Sequence, residues 1–241
     1  MRDESFFMGS TMKKFIFLDL DDTIFDFHLA ERIALERTLT EMGANPTDEM
    51  MRRYSAINRS CWEALERGEM TRAEVLVHRY ELLFLEYGLS CDANATQAKY
   101  EAYLSIGHHF IDGAERLLDG LRARGYRLFL ASNGTAKVQH GRIASSGIAP
   151  YFERMFISQE VGYDKPSPMF FERAFAEIVD FDKSEALIVG DSLTSDIQGG
   201  INAGIETVWF NPKGLPTKNG ITPDHIITHL SELIPLIERL S

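Results

Sequence analysis

The sequence predicts an α/β fold: a doubly wound parallel sheet, interrupted after its first strand by an all-helical insertion. Three observations carry this. Phe15-Ile16-Phe17-Leu18 is a short, β-friendly apolar run of the kind buried on both faces of a parallel sheet. From Asp112 onward, strand-like and helix-like patterns alternate, which implies βαβ units. Between these stretches, residues 27–107 carry helical periodicity and nothing that reads as a strand.

The elements follow in order. Leu35, Leu39 and Met42 recur at helical spacing before Gly43, a helix stop. A second helix is expected from about residue 48 to 67, ending at Gly68. Thr71-Arg72-Ala73-Glu74 has the pattern of a capping box and opens a helix with Leu76, Tyr80, Leu83 and Tyr87 on one face. Gly88 stops it, and a fourth helix covers roughly 94–105. The alternating part then reads as helix 114–124, strand 127–131, helix 135–146 and strand 154–157. Ser167 caps the next helix, with Pro168 at its first position and Phe171, Ala174, Phe175 and Ile178 as its buried stripe. Strand 186–189, a helix ending near Gly204, strand 207–210 and an edge strand near 224–228 complete the sheet. The last helix carries Leu230, Leu233, Ile234 and Ile237; Pro235 fits only in its first turn, so that helix starts near Ser231. The division expected is a Rossmann-like core over residues 12–26 and 108–241, with a helical cap over 27–107.

Composition narrows the function. The chain has 241 residues, 44% hydrophobic and 25% charged, which is ordinary for a globular enzyme and argues against disorder. A formal net charge of −11 disfavours nucleic acid polymers and anionic membranes as partners. No apolar run approaches the ~20 residues of a membrane span. Residues 1–11 lack the basic and apolar regions of a signal peptide and are expected to be loosely held. Cys61 and Cys91 show no metal-ligand spacing and read as free thiols in a reducing, cytoplasmic setting. A monomer or a homodimer is expected.

The chemistry collects where strands end. Asp19, Asp21 and Asp22 arrive directly after the first strand, the address of ligand sites in open α/β sheets. Two carboxylates ~4 Å apart repel by about 4 kcal/mol at an effective dielectric near 20, so a divalent cation is the simplest partner for the cluster. After the second strand, Ser132-Asn133-Gly134-Thr135 leads into a helix and forms an anion-binding pattern. Lys165 lies in the turn between Gly162 and Pro168, placed to aim an ammonium at the top of the sheet. After the fourth strand come Asp191 and Asp196. In a doubly wound order the first and fourth strands are neighbours at the switch point, which sets Asp191 opposite Asp19. Such oxygen ligands suit Mg²⁺.

Taken together, Asp19-Leu20-Asp21-Asp22-Thr23, Ser132-Asn133-Gly134, Lys165-Pro166 and Gly190-Asp191 with Asp196 resemble the four motifs of the haloacid dehalogenase-like hydrolase superfamily. The helical insertion resembles that superfamily's C1-type cap. Asn58-x3-Trp62 with Gly68 and Arg79, Ser158-Gln159-Glu160-Val161-Gly162, and Gly199-Gly200-Ile201-Asn202-Ala203-Gly204 are similar to its pyrimidine 5′-nucleotidase branch. Ser132 departs from the threonine usual there but keeps the hydroxyl.

The resemblance implies roles. Asp19 is the nucleophile that forms an aspartyl-phosphate, and Asp21 the acid/base that serves the leaving group and then water. Mg²⁺ is implied as cofactor, held by Asp19, the backbone carbonyl of Asp21 and Asp191, with Asp196 acting through water. Ser132, the amide of Asn133 and Lys165 are implied around the phosphate, while Thr23 braces the turn. The function expected is hydrolysis of a small phosphomonoester, a nucleoside 5′-monophosphate foremost. A sugar-phosphate or phosphoglycolate phosphatase, a phosphomutase and, from another class, a phospho-acceptor receiver are the alternatives. Asp21 speaks against a dehalogenase, which needs no proton donor two residues beyond its nucleophile. Specificity is expected from the cap and nearby loops, where Phe25, His28, Asn58, Trp62, His108 and His109 are candidates. Asn58 and Trp62 lead them, because residues four apart share a helix face.

Overall fold

A computed structural model of the chain describes residues 13–240; the leader expected to be loose, residues 1–11, lies outside them. The sheet is built from β1 (Phe15–Leu18), β2 (Arg127–Ser132), β3 (Arg154–Ile157), β4 (Ala186–Gly190), β5 (Glu206–Phe210) and β6 (His225–Ile227). Its order is β3-β2-β1-β4-β5-β6 and every pairing is parallel, so β1 lies between β2 and β4. This is the doubly wound arrangement, with β1 and β4 adjacent where the chain reverses direction across the sheet.

The apolar run of β1 is explained by what covers it. Ile16 and Leu18 face a cluster with Leu117, Leu118 and Leu121 of α5 (Ala114–Ala123) and Leu233, Leu236 and Ile237 of α10 (Leu233–Leu240). Phe15 and Phe17 face the opposite cluster, with Phe129, Phe156 and the Phe170, Phe171 and Phe175 rings of α8 (Pro168–Ala176). Each fully buried side chain of this size contributes about 1.5–3 kcal/mol, and strand alternation sends neighbours to opposite layers. Pro235 falls in the first turn of α10, as expected; a 3₁₀ turn at Leu230–Glu232 precedes it. The remaining core helices are α6 (Ala136–Ser146), α7 (Ser158–Val161) and α9 (Gln198–Ala203), the last entered through a π-helical turn at Leu193–Ile197.

Between β1 and α5 the chain forms α1 (Phe27–Glu41), α2 (Asp48–Glu66), α3 (Arg72–Tyr87) and α4 (Ala93–Leu104). Asp26, Thr47, Thr71 and Asp92 cap them, each accepting a backbone N–H of the first turn, worth about 1 kcal/mol apiece. The capping box at Thr71 and Glu74 is present, and Gly88 ends α3 at φ 62°. These helices share an apolar cluster of their own, from Ala30, Leu35 and Leu39 through Tyr54, Ile57, Val75, Tyr80, Leu83 and Tyr100.

In α3 the expected face holds for Tyr80, Leu83 and Tyr87 and departs at Leu76. The buried residues of α3 are Val75, Arg79, Tyr80, Leu83 and Phe84, while Leu76 turns to the cleft between cap and core. The face is rotated because Arg79, a residue normally solvated, sits inside with Glu31, Asn58 and Gln97. Both cysteines are free.

Candidate active site

Parallel strands aligned in register deliver their C-terminal residues to one edge, and here that edge holds the acids. Asp19 follows β1, its N–H donating to the Val189 carbonyl of β4 (2.9 Å). Asp191 follows β4, with its own carbonyl held by the Trp209 indole N–H (2.7 Å). Asp196 belongs to the π-helical turn, where its carboxylate accepts the Ser192 N–H (3.0 Å). Gly190 lets it come that close: a Cβ there would meet the Asp196 carboxyl carbon at 2.2 Å. One carboxylate oxygen from each of Asp19, Asp191 and Asp196 lies within 4.8 Å of the others.

Lys165 closes this cluster from the side. Its buried Nζ donates to Asp19 Oδ1 (2.7 Å), Asp196 Oδ1 (2.6 Å) and the Ala131 carbonyl (2.5 Å). The Asn133 side chain fixes the lysine loop, accepting the Lys165 N–H (2.8 Å) and donating to its carbonyl (2.8 Å). Burial alone would lower the Lys165 ammonium, but Asp19 and Asp196 outweigh it and hold it above the ordinary lysine value. One ammonium does not balance three acids. Burial, followed by Asp196, pushes Asp19 up to about 8, and burial, then Asp196 and Asp19, raises Asp191 well above the usual carboxyl range. The Asp191 carboxylate has no hydrogen-bond donor among the described residues. An all-oxygen set whose half-buried member, Asp191, is unpartnered fits a hard divalent cation such as Mg²⁺.

Asp21 points away from that group. Its carboxylate is paired with Arg142 and accepts Gln139 Nε2 (2.6 Å). Gln139 also donates to Ser132 Oγ (2.8 Å), so one side chain ties the acid to the serine after β2. Arg142 is fully buried; its Nε donates to the Gly107 carbonyl (2.8 Å) on the linker returning from α4, and its Nη2 has no partner. Neither residue stood out in the sequence. Their signal is spacing alone, two polar residues three apart on the α6 face that follows Ser132.

The cleft continues from these residues into the cap, lined there by Trp62, Leu65, Leu76, Arg79, Gln97 and Tyr100, with a volume of about 220 Å³. Trp62 lies on the cleft wall, with the Arg72 guanidinium 5.3 Å from the ring centre. Arg72 crosses to the core, donating to the Asn133 carbonyl (2.9 Å) and Ser158 Oγ (2.7 Å) and pairing with Asp164. Glu66 makes a second crossing, accepting Thr194 Oγ1 (2.9 Å), and burial raises its carboxyl to about 7. Asn58 is different from expectation. It is 4% exposed and its amide is consumed, donating to Glu31 (2.7 Å) and accepting from Arg79 (2.7 Å). It stands behind the cleft wall, because Arg79 occupies the position in front of it. Phe25 is core, His28 pairs with Asp22, and His108 bonds Ser145 on the surface.

Fold and site together define a doubly wound α/β protein with a helical insertion and an acidic cluster at the ends of its first and fourth strands. The chain belongs to the haloacid dehalogenase-like hydrolases, whose family model matches residues 13–204. It is similar to YfnB of Bacillus subtilis, solved bound to magnesium: TM-score 0.90 and 37% identity, covering 94% of this chain and 99% of that one. It is 36% identical to the pyrimidine 5′-nucleotidase PynA of Streptococcus pneumoniae, over 94% of this chain and 95% of PynA. With the Escherichia coli pyrimidine 5′-nucleotidase YjjG it shares 31% identity, over 92% and 96%. Family membership removes the signalling-receiver alternative. Among the described residues no helix is long and apolar enough to cross a membrane.

Proposed function

We propose that the protein is a Mg²⁺-dependent phosphatase of small phosphomonoesters, with pyrimidine nucleoside 5′-monophosphates as preferred substrates. The observation that carries the phosphatase reading is the Lys165 ammonium between Asp19 and Asp196, with the unpartnered Asp191 beside them. The nucleotide reading is supported by two relatives named as pyrimidine 5′-nucleotidases and by an indole on the cleft wall.

In this reading Asp19 attacks the phosphorus; its oxygen–phosphorus bond forms as the ester oxygen leaves, giving an aspartyl-phosphate. Asp21 gives the leaving alkoxide a proton, then takes one from the water that cleaves the acyl-phosphate. Lys165, Ser132 and the amide of Asn133 hold the phosphoryl oxygens, and positioning of this kind is most of what phosphoryl transfer asks of a protein. Asp19, the Asp21 carbonyl and Asp191, with Asp196 through water, would hold Mg²⁺, which supplies charge neutralisation to the phosphoryl group when bound. Trp62 stacks on the base.

A phosphate-release panel tests this. UMP and CMP should exceed ribose 5-phosphate, hexose phosphates and phosphoglycolate by roughly tenfold to a hundredfold in kcat/KM, the range set by ~1–3 kcal/mol of base stacking. All activity should vanish with chelator. Equal rates on UMP and ribose 5-phosphate would reject the nucleotide assignment, and interconversion of a sugar phosphate without phosphate release would make the enzyme a mutase.

A further inference from the structure

Beyond Trp62 the cleft ends on an arginine whose bonding is incomplete. A guanidinium stays charged, and a buried charge is costly unless it is paired. Arg79 is 3% exposed, yet no carboxylate touches it. Its Nη1 donates to Asn58 Oδ1 (2.7 Å) and its Nη2 to Gln97 Oε1 (2.6 Å), both neutral amides. The acids Glu31 and Glu101 are reached only through those amides, at 2.7 Å from Asn58 Nδ2 and 2.8 Å from Gln97 Nε2. The rings of Tyr54, Tyr80 and Tyr100 surround the guanidinium at 5.8, 5.1 and 5.1 Å. The Tyr54 and Tyr80 hydroxyls bond each other at 3.0 Å. Two groups are left over: the Arg79 Nε–H and the Tyr100 hydroxyl, both buried and without a partner. Both residues line the cleft that also holds Asp19 and Lys165.

An N–H donor and a spare hydroxyl, beside the apolar Trp62, Leu65, Leu76 and Leu104 and near the carboxylates of Glu66 and Glu101, call for an uncharged planar ligand carrying an acceptor. A phosphate does not fit that description, and its place is at Lys165. A sugar can lay a C–H face on the indole, but it presents hydroxyls that donate as well as accept rather than a pure acceptor. A ring carbonyl on a nucleobase meets both requirements, since its oxygen accepts from an arginine and from a hydroxyl at once. We propose that Arg79 and Tyr100 form a base subsite that binds a ring carbonyl of the pyrimidine, with Trp62 against its face. This rests on the nucleotidase reading above and replaces Asn58 as the polar reader of the base; Asn58 instead orients Arg79.

The two groups are closed to bulk water in this form of the molecule, so the carbonyl reaches them as the cleft wall adjusts. Uracil and thymine carry such carbonyls, and cytosine carries one. Adenine carries none, which makes AMP an internal control.

The test is kcat/KM for UMP, AMP and ribose 5-phosphate in wild type, Tyr100→Phe and Arg79→Lys, with Tm measured on each. Tyr100→Phe removes a hydroxyl that bonds nothing here, so Tm should hold. Its loss on UMP should exceed its loss on AMP and ribose 5-phosphate by about 2–10-fold, through KM, the effect of one neutral hydrogen bond. Arg79→Lys should widen that gap to roughly 10–100-fold, as expected for a charged donor. Equal losses on all three substrates, or a UMP preference kept in both variants, would overturn the subsite while leaving the nucleotidase reading intact. A wild type indifferent to the base would instead reject that reading itself. If Arg79→Lys fails to fold, Tyr100→Phe alone decides.

Discussion

The cleft has two walls, and each buries an arginine in a different way. On the core wall Arg142 meets a carboxylate directly, that of Asp21, and Lys165 meets Asp19 and Asp196. On the cap wall Arg79 meets only amide oxygens and tyrosine rings. Charge facing charge, with acids in excess, suits a place where protons, a phosphoryl group and a cation come and go. Charge facing fixed neutral dipoles suits recognition, because the wall keeps one protonation state and one set of donors. On this account, damage to the core wall slows every substrate, and damage to the cap wall changes the ranking of substrates.

The largest effects should come from the acid cluster. Asp191→Asn should abolish turnover of every substrate, by ~10³-fold or more for loss of a group that acts as part of a unit. It removes an unpartnered carboxylate crowded by Asp19 and Asp196, so the metal-free variant should be more stable than wild type, while the rise in Tm on adding Mg²⁺ shrinks. Ligand binding at a hundred times Kd stabilises by about 2.7 kcal/mol. A full Mg²⁺ shift in the variant would show that the ion sits elsewhere.

Arg142→Met comes next. Freed of its pair, Asp21 loses its fixed position, and general acid catalysis is worth roughly 10²–10⁴-fold. The loss should be large for UMP and ribose 5-phosphate alike, and smaller for p-nitrophenyl phosphate, whose leaving group needs no proton. A loss confined to UMP would erase the distinction between the walls.

Glu66 at the seam gives the smallest effect. Its carboxyl is raised from 4.5 to about 7 by burial, so the folded protein retains a proton that the unfolded chain releases. The corresponding stability is complete below the unfolded value and is lost as pH rises through about 7. Glu66→Gln should abolish that part of the dependence, and the Tm difference, variant minus wild type, should grow across this window. A constant difference would contradict the assignment.

How much of this was legible in the sequence follows the same division. The strands of the core announce themselves through β1, whose residues are apolar because both layers cover it, and register then carries Asp19, Ser132 and Asp191 to one edge. The site residues of the core are therefore local to strand ends and readable one motif at a time. Arg142 and Gln139 were not, because their meaning comes from Asp21, more than a hundred positions away in the chain. In the cap the capping box at Thr71 and Glu74 was readable, yet the N-caps Thr47 and Asp92 and the buried network of Glu31, Asn58, Arg79 and Gln97 were not. Polar residues at these positions look like a solvated face until four helices close around them. Asn58 and Trp62 do share a helix, but only Trp62 reaches the cleft.

The central claim is that Asp19 takes the phosphoryl group, and the direct measurement is covalent. Asp21→Asn, mixed with p-nitrophenyl phosphate and Mg²⁺ and quenched in acid, should accumulate a phosphoryl group, because that leaving group needs no proton while the second step lacks its base. Mass spectrometry of the digested protein should locate that group on the peptide containing Asp19 and find none in Asp19→Asn. Phosphate release without any such adduct, or an adduct on another residue, would contradict the account.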